Sequence, residues 1–509
     1  MANTFAVSRS HLIYGVCLPL AVLIGYLLAE PLESGSVAVV VLVMSVLSIP
    51  LLMRWHHPLL IFSCNAMILP YFVPGRPELW MIMVVVSLFF SVLNRSVGQD
   101  LKFFQVRSVS YSLVFFGVVV MGTAWLNGGL GLAALGSSSI GGKKYFTIFV
   151  AIGLYFALAA PQIKRSQAGL FIGLYFLSAL AGLVSYLAVI GGSPFYFLNE
   201  LFPIDSTLSE SASSGSLAGP EAISRLGTLV SPAMGVFCFL LASYGARGVL
   251  DLKKPWRLVL LLMAVMISTL GGFRSGLILL FLIFSVLFYM EGLFRTRYFP
   301  IIILSGIMAA AILLPNARSL PLSMQRTLSF LPISIDPVVR QDAEGSTTWR
   351  LQIWQRLLPD VPKYLLKGKG YAMNPEELMM LQGAQGDYAV LSQEGAVLAG
   401  DYHSGPLSLI IPFGIFGVIG FLWFLSASLK LLFQNYQFGD PALRRINTFL
   451  FGFFIVKVLV FFFIFGSVHS DLGPMAALVG LSASLNGGVS RPPEALPEIL
   501  MDEPMSAEV

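Results

Sequence analysis

The feature that most constrains this chain is a succession of continuously apolar runs, each of roughly 16–25 residues, spread along its 509 residues. At about 1.5 Å of rise per residue, each run can cross the hydrocarbon of a bilayer as a helix. The runs do not alternate, which excludes the period-two pattern of a membrane β-barrel. In lipid a spanning segment must satisfy its own backbone N–H and C=O groups, so these runs are expected to be helical. The composition agrees: 56% of residues are hydrophobic and 11% charged, against about 25% charged in a soluble chain. The expected fold is all-α, a polytopic transmembrane helical bundle whose main partner is the lipid bilayer.

The candidate spans are 12–29, 37–53, 58–73, 79–94, 108–126, 144–160, 168–191, 226–244, 256–271, 275–292, 299–315, 405–430, 447–467 and 472–487, about fourteen in all. The first follows Arg9 and imitates a signal peptide, but the spans continue one after another, so it is taken as an uncleaved helix. Loops carrying Arg9, Arg54, Arg95/Lys102/Arg107, Lys164/Arg165, Arg247/Lys253/Lys254, Arg295/Arg297 and Lys430/Arg444/Arg445 fall on one side. The positive-inside rule makes that side cytoplasmic, with both termini inside. The net charge of +5 comes from these loops and is no sign of a nucleic-acid partner. Cys17, Cys64 and Cys238 lie inside apolar runs, with no disulfide or metal spacing.

This alternation divides the chain into N-terminal helices (1–192), a Ser/Gly-rich external loop (193–224), further helices (225–315), a long external segment (316–404), C-terminal helices (405–488) and a Pro-rich acidic tail (489–509). The first half of the long segment, Arg318–Lys369, holds eight basic residues and four acids, and its second half, Gly370–His403, holds five acids and no Lys or Arg. Within it Leu351, Trp354 and Leu358 have helical spacing, with Arg350 and Arg356 nearby, as in an amphipathic helix at the outer interface.

Arginine on the external side needs a reason, because insertion disfavours it there. Arg225 opens one span, and Arg274 sits in Gly271-Gly272-Phe273-Arg274-Ser275-Gly276 between two others. Guanidinium geometry suits phosphate oxygens, and the glycines allow close approach to the backbone. The plain alternative is a snorkelling or ion-paired side chain. His403 lies in Asp401-Tyr402-His403-Ser404-Gly405-Pro406, where the long segment returns to the membrane. A neutral imidazole there can take a proton from a hydroxyl, with Asp401 or another carboxylate to orient it. The alternative is a helix cap at Ser404 with a bystander histidine. His469, on the same side, is the weaker candidate. Gly368-Lys369-Gly370 is a tight turn, insufficient for a phosphate loop. The catalytic candidates are therefore His403 and Arg274, and the substrate-binding candidates are Arg225, Arg350, Arg356, Asp401 and Tyr402. The mid-span regions are nearly free of ionisable residues, which weighs against a transporter or flippase. No metal motif, Walker A sequence or nucleophile elbow is present.

The order of these pieces resembles a known family. An arginine precedes a helix (Arg225-Leu-Gly-Thr-Leu-Val-Ser-Pro), and an Arg-Ser pair follows a span (Phe273-Arg274-Ser275-Gly276). A long loop then carries Arg350…Trp354 and Gly368-Lys369-Gly370, and His403 enters a helix containing Pro412-Phe413-Gly414-Ile415-Phe416-Gly417. Over roughly 220–430 this resembles the bacterial O-antigen ligase and polysaccharide polymerase superfamily. The resemblance implies a GT-C-like, metal-independent and cofactor-free inverting glycosyltransferase in the inner membrane, with a periplasmic active site. Its donor would be an undecaprenyl-diphosphate-linked glycan. Its acceptor would be a lipid A-core sugar for a ligase, or another lipid-linked repeat for a polymerase. Arg225 and Arg274 would hold the diphosphate, Arg350 would add a donor contact, and His403 would activate the acceptor hydroxyl. The chain departs from ligases in its larger expected number of spans.

Overall fold

A computed structural model describes residues 34–71, 73, 75–96, 103–131, 141–203, 227–373 and 393–492, with Leu18, Pro19, Ala21, Val22 and Gly25 before them. The chain divides into two units, residues 1–56 and 57–509. The first is described mainly through the opening part of helix α1 (Ser34–Ser63).

In the second unit the apolar runs are helices, as the lipid argument requires. These are α2 (Leu79–Ser96), α3 (Arg107–Asn127), α4 (Gly142–Ala159), the segmented α5 (Arg165–Gly191), α6 (Gly227–Val249), α7 (Trp256–Leu270), α8 (Arg274–Met290) and α9 (Tyr298–Leu313). After further helices outside these runs come α12 (Gly405–Phe438), α13 (Arg444–Phe463) and α14 (Val468–Asn486). Among the described residues, seven helices are long and apolar enough to cross a membrane: α2 to α6, α12, and α13 with its leading turn. Helices α7, α8 and α9 are apolar but shorter. The protein is a helical membrane protein.

Two expected spans differ. The runs 37–53 and 58–73 share the single helix α1, which ends at Ser63. Only Arg54–His57 separated them, too short a stretch to end a helix without glycine. His57 is buried, with Nε2 3.2 Å from the Leu158 carbonyl oxygen. The span 12–29 falls almost wholly outside the described residues.

Helices pack through small residues, as they must when lipid offers no hydrophobic drive between them. Along α14, Gly473 and Ala477, and Ala476, Gly480 and Ser484, form small-residue stripes. A Cβ on Gly480 would lie 2.9 Å from the Leu158 Cβ of α4. One on Gly235 of α6 would lie 2.4 Å from the Phe176 carbonyl oxygen of α5. At one end of the bundle Asn435, Asn447 and Asn486 lock α12, α13 and α14 together. Asn447 Nδ2 donates to the Asn435 carbonyl (3.0 Å) and to Asn486 Oδ1 (2.9 Å), and Asn435 Nδ2 donates to Ser482 Oγ (3.1 Å).

The described parts of the long segment 316–404 pack into the bundle. Helix α10 (Leu322–Thr327) is buried from Ser323 to Thr327. Helix α11 (Pro337–Leu357) starts where Asp336 Oδ1 accepts from the Val338 N–H (2.9 Å), with Pro337 in the first turn. Its packed face is Ile353 and Leu357, which join Tyr402, Leu407 and Ile411 at the start of α12. Leu351 and Leu358 are exposed, off the face that packs on the protein. Farther on, Gly368-Lys369-Gly370 docks into a break in α12 at Pro412–Gly414. Lys369 N donates to the Ile411 carbonyl (2.7 Å), Gly370 N to that of Pro412 (3.0 Å), and Ile415 N to that of Leu365 (2.7 Å). Gly368 and Gly414 both have positive φ (69° and 63°). A Cβ on Gly368 would sit 2.1 Å from the Pro412 oxygen. The turn therefore serves to join the segment to the helix.

Candidate functional site

Four stretches distant in sequence meet at one end of the bundle: the α7–α8 turn, α10, α11, and the approach to α12. Gly272 has φ +74°, and after it Phe273 lets α8 begin at Arg274. Arg274 Nη2 donates to the Ala343 carbonyl (2.9 Å) and to Thr347 Oγ1 (3.2 Å) of α11. One turn later on α11 come Trp349 and Arg350. The His403 ring lies between Trp349 (5.0 Å between ring centroids) and Phe465 (5.3 Å). The Arg350 guanidinium lies 5.7 Å from the centre of the same Phe465 ring. His403 has φ +48°, a conformation a non-glycine residue adopts at a cost of roughly 1–3 kcal/mol and one that gathers at functional sites.

Arg326 pins this arrangement. It is 4% exposed, ion-paired to Asp342 of α11, and donates to the Gly272 carbonyl. Arg274, Arg326 and Arg350 act on one another electrostatically. Asp342 is the one carboxylate ion-paired to any of the three among the described residues. Arg350 has no hydrogen bond or ion pair among the described residues. The site thus carries an excess of about two positive charges in a setting where water is partly excluded. Burial, and then the Arg350 charge, hold the His403 pKa below its ordinary 6.5, so the imidazole is neutral at neutral pH.

Two cavities open from this arrangement. One, of about 630 Å³, lies against α11 and is lined by Arg274, Arg340, Glu344, Thr347 and Thr348. The other, of about 440 Å³, runs between helices from Phe465, Phe273 and Gly276 to Val230, Met234 and Phe453. It also holds Lys457, midway along α13, and Asp471 of α14. The expected scarcity of ionisable mid-span residues therefore has an exception in Lys457.

Of the residues singled out from sequence, Arg274, Arg350 and His403 are brought together. Asp401 is not bonded to His403. Its Oδ1 accepts from Lys144 Nζ (3.1 Å) and lies 3.8 Å from His469 Nε2. Lys144, His469 and Tyr371 line a separate cavity of about 500 Å³. Tyr402 is buried in the α11–α12 cluster, with its carbonyl accepting from Trp354 Nε1 (3.1 Å). Arg356 is exposed and, six residues from Arg350, points about 240° round α11 from it. Arg225 lies outside the described residues. Arg326, Asp342, Lys144 and Phe465 were not singled out from sequence. Arg326 is one of eight basic residues in its stretch, and only its contact with Gly272, 54 positions away, sets it apart. Among the described residues there is no group of three or more His, Cys, Asp or Glu side chains that could hold a metal ion. No protein-family model and no curated protein matches this sequence.

Proposed function

We propose that this protein is a glycosyltransferase of the O-antigen ligase and polymerase type, moving a glycan from a polyprenyl-diphosphate donor to an acceptor hydroxyl at the outer face of a bacterial inner membrane. The observation that carries the reading is the grouping of Arg274, Arg326 and Arg350, with one carboxylate among them, beside a neutral His403 and at the mouth of an apolar interhelical cavity. A lipid diphosphate leaving group gains negative charge as its bond to the sugar breaks, and guanidiniums fixed beside it lower that barrier. Arg350, with no hydrogen bond or ion pair among the described residues, is the cation most free to take a phosphate oxygen. His403 removes the proton of the attacking hydroxyl. The ring is held by Trp349 and Phe465, so little orientation is lost on reaction. Attack opposite the leaving diphosphate inverts the anomeric carbon. The polyprenyl tail lies along Phe273, Val230 and Met234.

The test uses the purified chain in vesicles with a labelled glycan on undecaprenyl diphosphate and a sugar acceptor. Arg274→Lys and His403→Ala, in protein that inserts normally, are expected to abolish transfer; transfer at the wild-type rate by either variant rejects its role. Product size separates ligase from polymerase. Lys457 and Asp471 favour a second reading, a lipid-linked glycan carrier. In that case Lys457→Met stops movement of the donor across the membrane, while His403→Ala leaves it intact.

A further inference from the structure

The end of the bundle remote from His403 holds a second cationic hollow. Helix α8 starts at Arg274 beside the candidate site and ends at Met290 in this hollow, about 25 Å away along its axis. Helix α13 ends near Phe465 and starts here at Arg444. The hollow has a volume of about 730 Å³ and is lined by Tyr244, Arg247, Arg257, Glu291, Arg444 and Arg445, among others. Two of these groups are already committed. Gly245 (φ 68°) breaks α6, and the Glu291 carboxylate accepts from the freed N–H groups of Ala246 (2.7 Å) and Arg247 (2.8 Å). Arg257 donates to the Gly248 carbonyl (3.1 Å), and its guanidinium stacks 3.8 Å from the centre of the Tyr244 ring. The side chains of Arg247, Arg444 and Arg445 form no ion pair with any described carboxylate, and all three are exposed to the hollow. The other acid on the rim, Asp251, accepts from the Lys253 N–H (3.0 Å).

We propose that this hollow binds a phosphate ester. Three arginines without an ion-pair partner among the described residues line a concave surface whose walls carry Tyr244, Tyr298 and Tyr436. Their planar forks match phosphate oxygens, and tyrosine is the residue that sits at the headgroup level of a bilayer. Arg295 and Arg297, in the neighbouring turn, have guanidiniums within cation–π range of the Phe294 and Tyr298 rings instead. A basic pocket between helices at a membrane surface is a setting for a lipid headgroup, and the same chemistry takes a soluble phosphate.

The experiment uses the whole chain in vesicles of phosphatidylcholine and phosphatidylglycerol in equal parts, released for native mass spectrometry. A second arm follows thermal unfolding in detergent with inorganic pyrophosphate, against sodium chloride of equal ionic strength. The wild type is expected to retain phosphatidylglycerol in preference to phosphatidylcholine, or to be stabilised by pyrophosphate. Phosphatidylglycerol retention that the Arg247/Arg444/Arg445 variant loses assigns a headgroup; pyrophosphate stabilisation that this variant loses and Arg350→Gln keeps assigns a soluble phosphate to this hollow and not to the site around Arg274. Each arginine is worth about fivefold in retention of an anionic headgroup, so changing Arg247, Arg444 and Arg445 to Gln should lower it about a hundredfold. A wild type that shows neither preference nor stabilisation overturns the proposal, and that comparison stands even where the triple variant fails to fold. A folded triple variant behaving as wild type overturns it equally.

Discussion

Replacing Arg326 with Met tests whether one buried cation holds the candidate site together. Arg326 is 5% exposed at its side chain, ion-pairs with Asp342, and donates to the Gly272 carbonyl. Removing one partner of a buried pair costs about 3–5 kcal/mol. The Asp342 side chain is 32% exposed, so water shares its charge and the cost falls to about 2–3 kcal/mol. The Gly272 carbonyl loses its charged donor, adding about 1–2 kcal/mol. The sum, about 3–5 kcal/mol, predicts a fall in the unfolding temperature on the order of 5 °C in a chain of this size. Thermal unfolding in mild detergent measures it. Asp342→Asn is expected to cost less, because Arg326 keeps its bond to Gly272. The Arg326→Met/Asp342→Asn double variant should recover about 1.5–2.5 kcal/mol relative to the sum of the single changes. Additivity within about 0.5 kcal/mol would refute the idea that this pair ties α10 to α11.

His403 is expected to titrate below 6.5 in isotope-labelled protein, because burial and the Arg350 charge both oppose its protonation; Arg350→Gln should move the NMR titration upward, and an unchanged midpoint separates the two groups. Its folded pKa lies below the unfolded value, so its contribution to stability is present above pH 6.5 and is lost as pH falls below it. Transfer at pH 6 should therefore persist and decline only as acidity passes the lowered pKa. Gly368→Ala should cost more than about 2 kcal/mol, since φ is +69° and the new Cβ would meet the Pro412 oxygen at 2.1 Å; normal yield and unfolding temperature would contradict the docking.

The helices could be read from sequence because lipid leaves an apolar run no other way to satisfy its backbone. Arg274, Arg350 and His403 could be read for a related reason: a charge stationed where insertion penalises it stands out against its surroundings. Arg326 and Asp342 could not, because both lie in a polar stretch where charge is ordinary, and their partners come from contacts no spacing encodes. The pairing of Asp401 with Lys144 spans 257 positions, so nothing in the local sequence around His403 could show it. Leu351 and Leu358 show a further limit. Their spacing is helical, yet the face that packs is set by Tyr402 and Ile411 arriving from elsewhere. Lys457 sits within an otherwise apolar run, and the run was longer evidence than the single residue.

The seam at Pro412–Gly414 bears on how this protein can be engineered. The three backbone bonds there stitch the soluble-looking segment into the interior of a spanning helix, and the Tyr371 N–H continues the join to the Tyr145 hydroxyl of α4 at 2.8 Å. A chimera that exchanged residues 316–404 alone would present the recipient helix with unpaired carbonyls and no glycine to receive them. Exchanging the segment therefore calls for transplanting it together with the first half of α12 and the tyrosine that meets it.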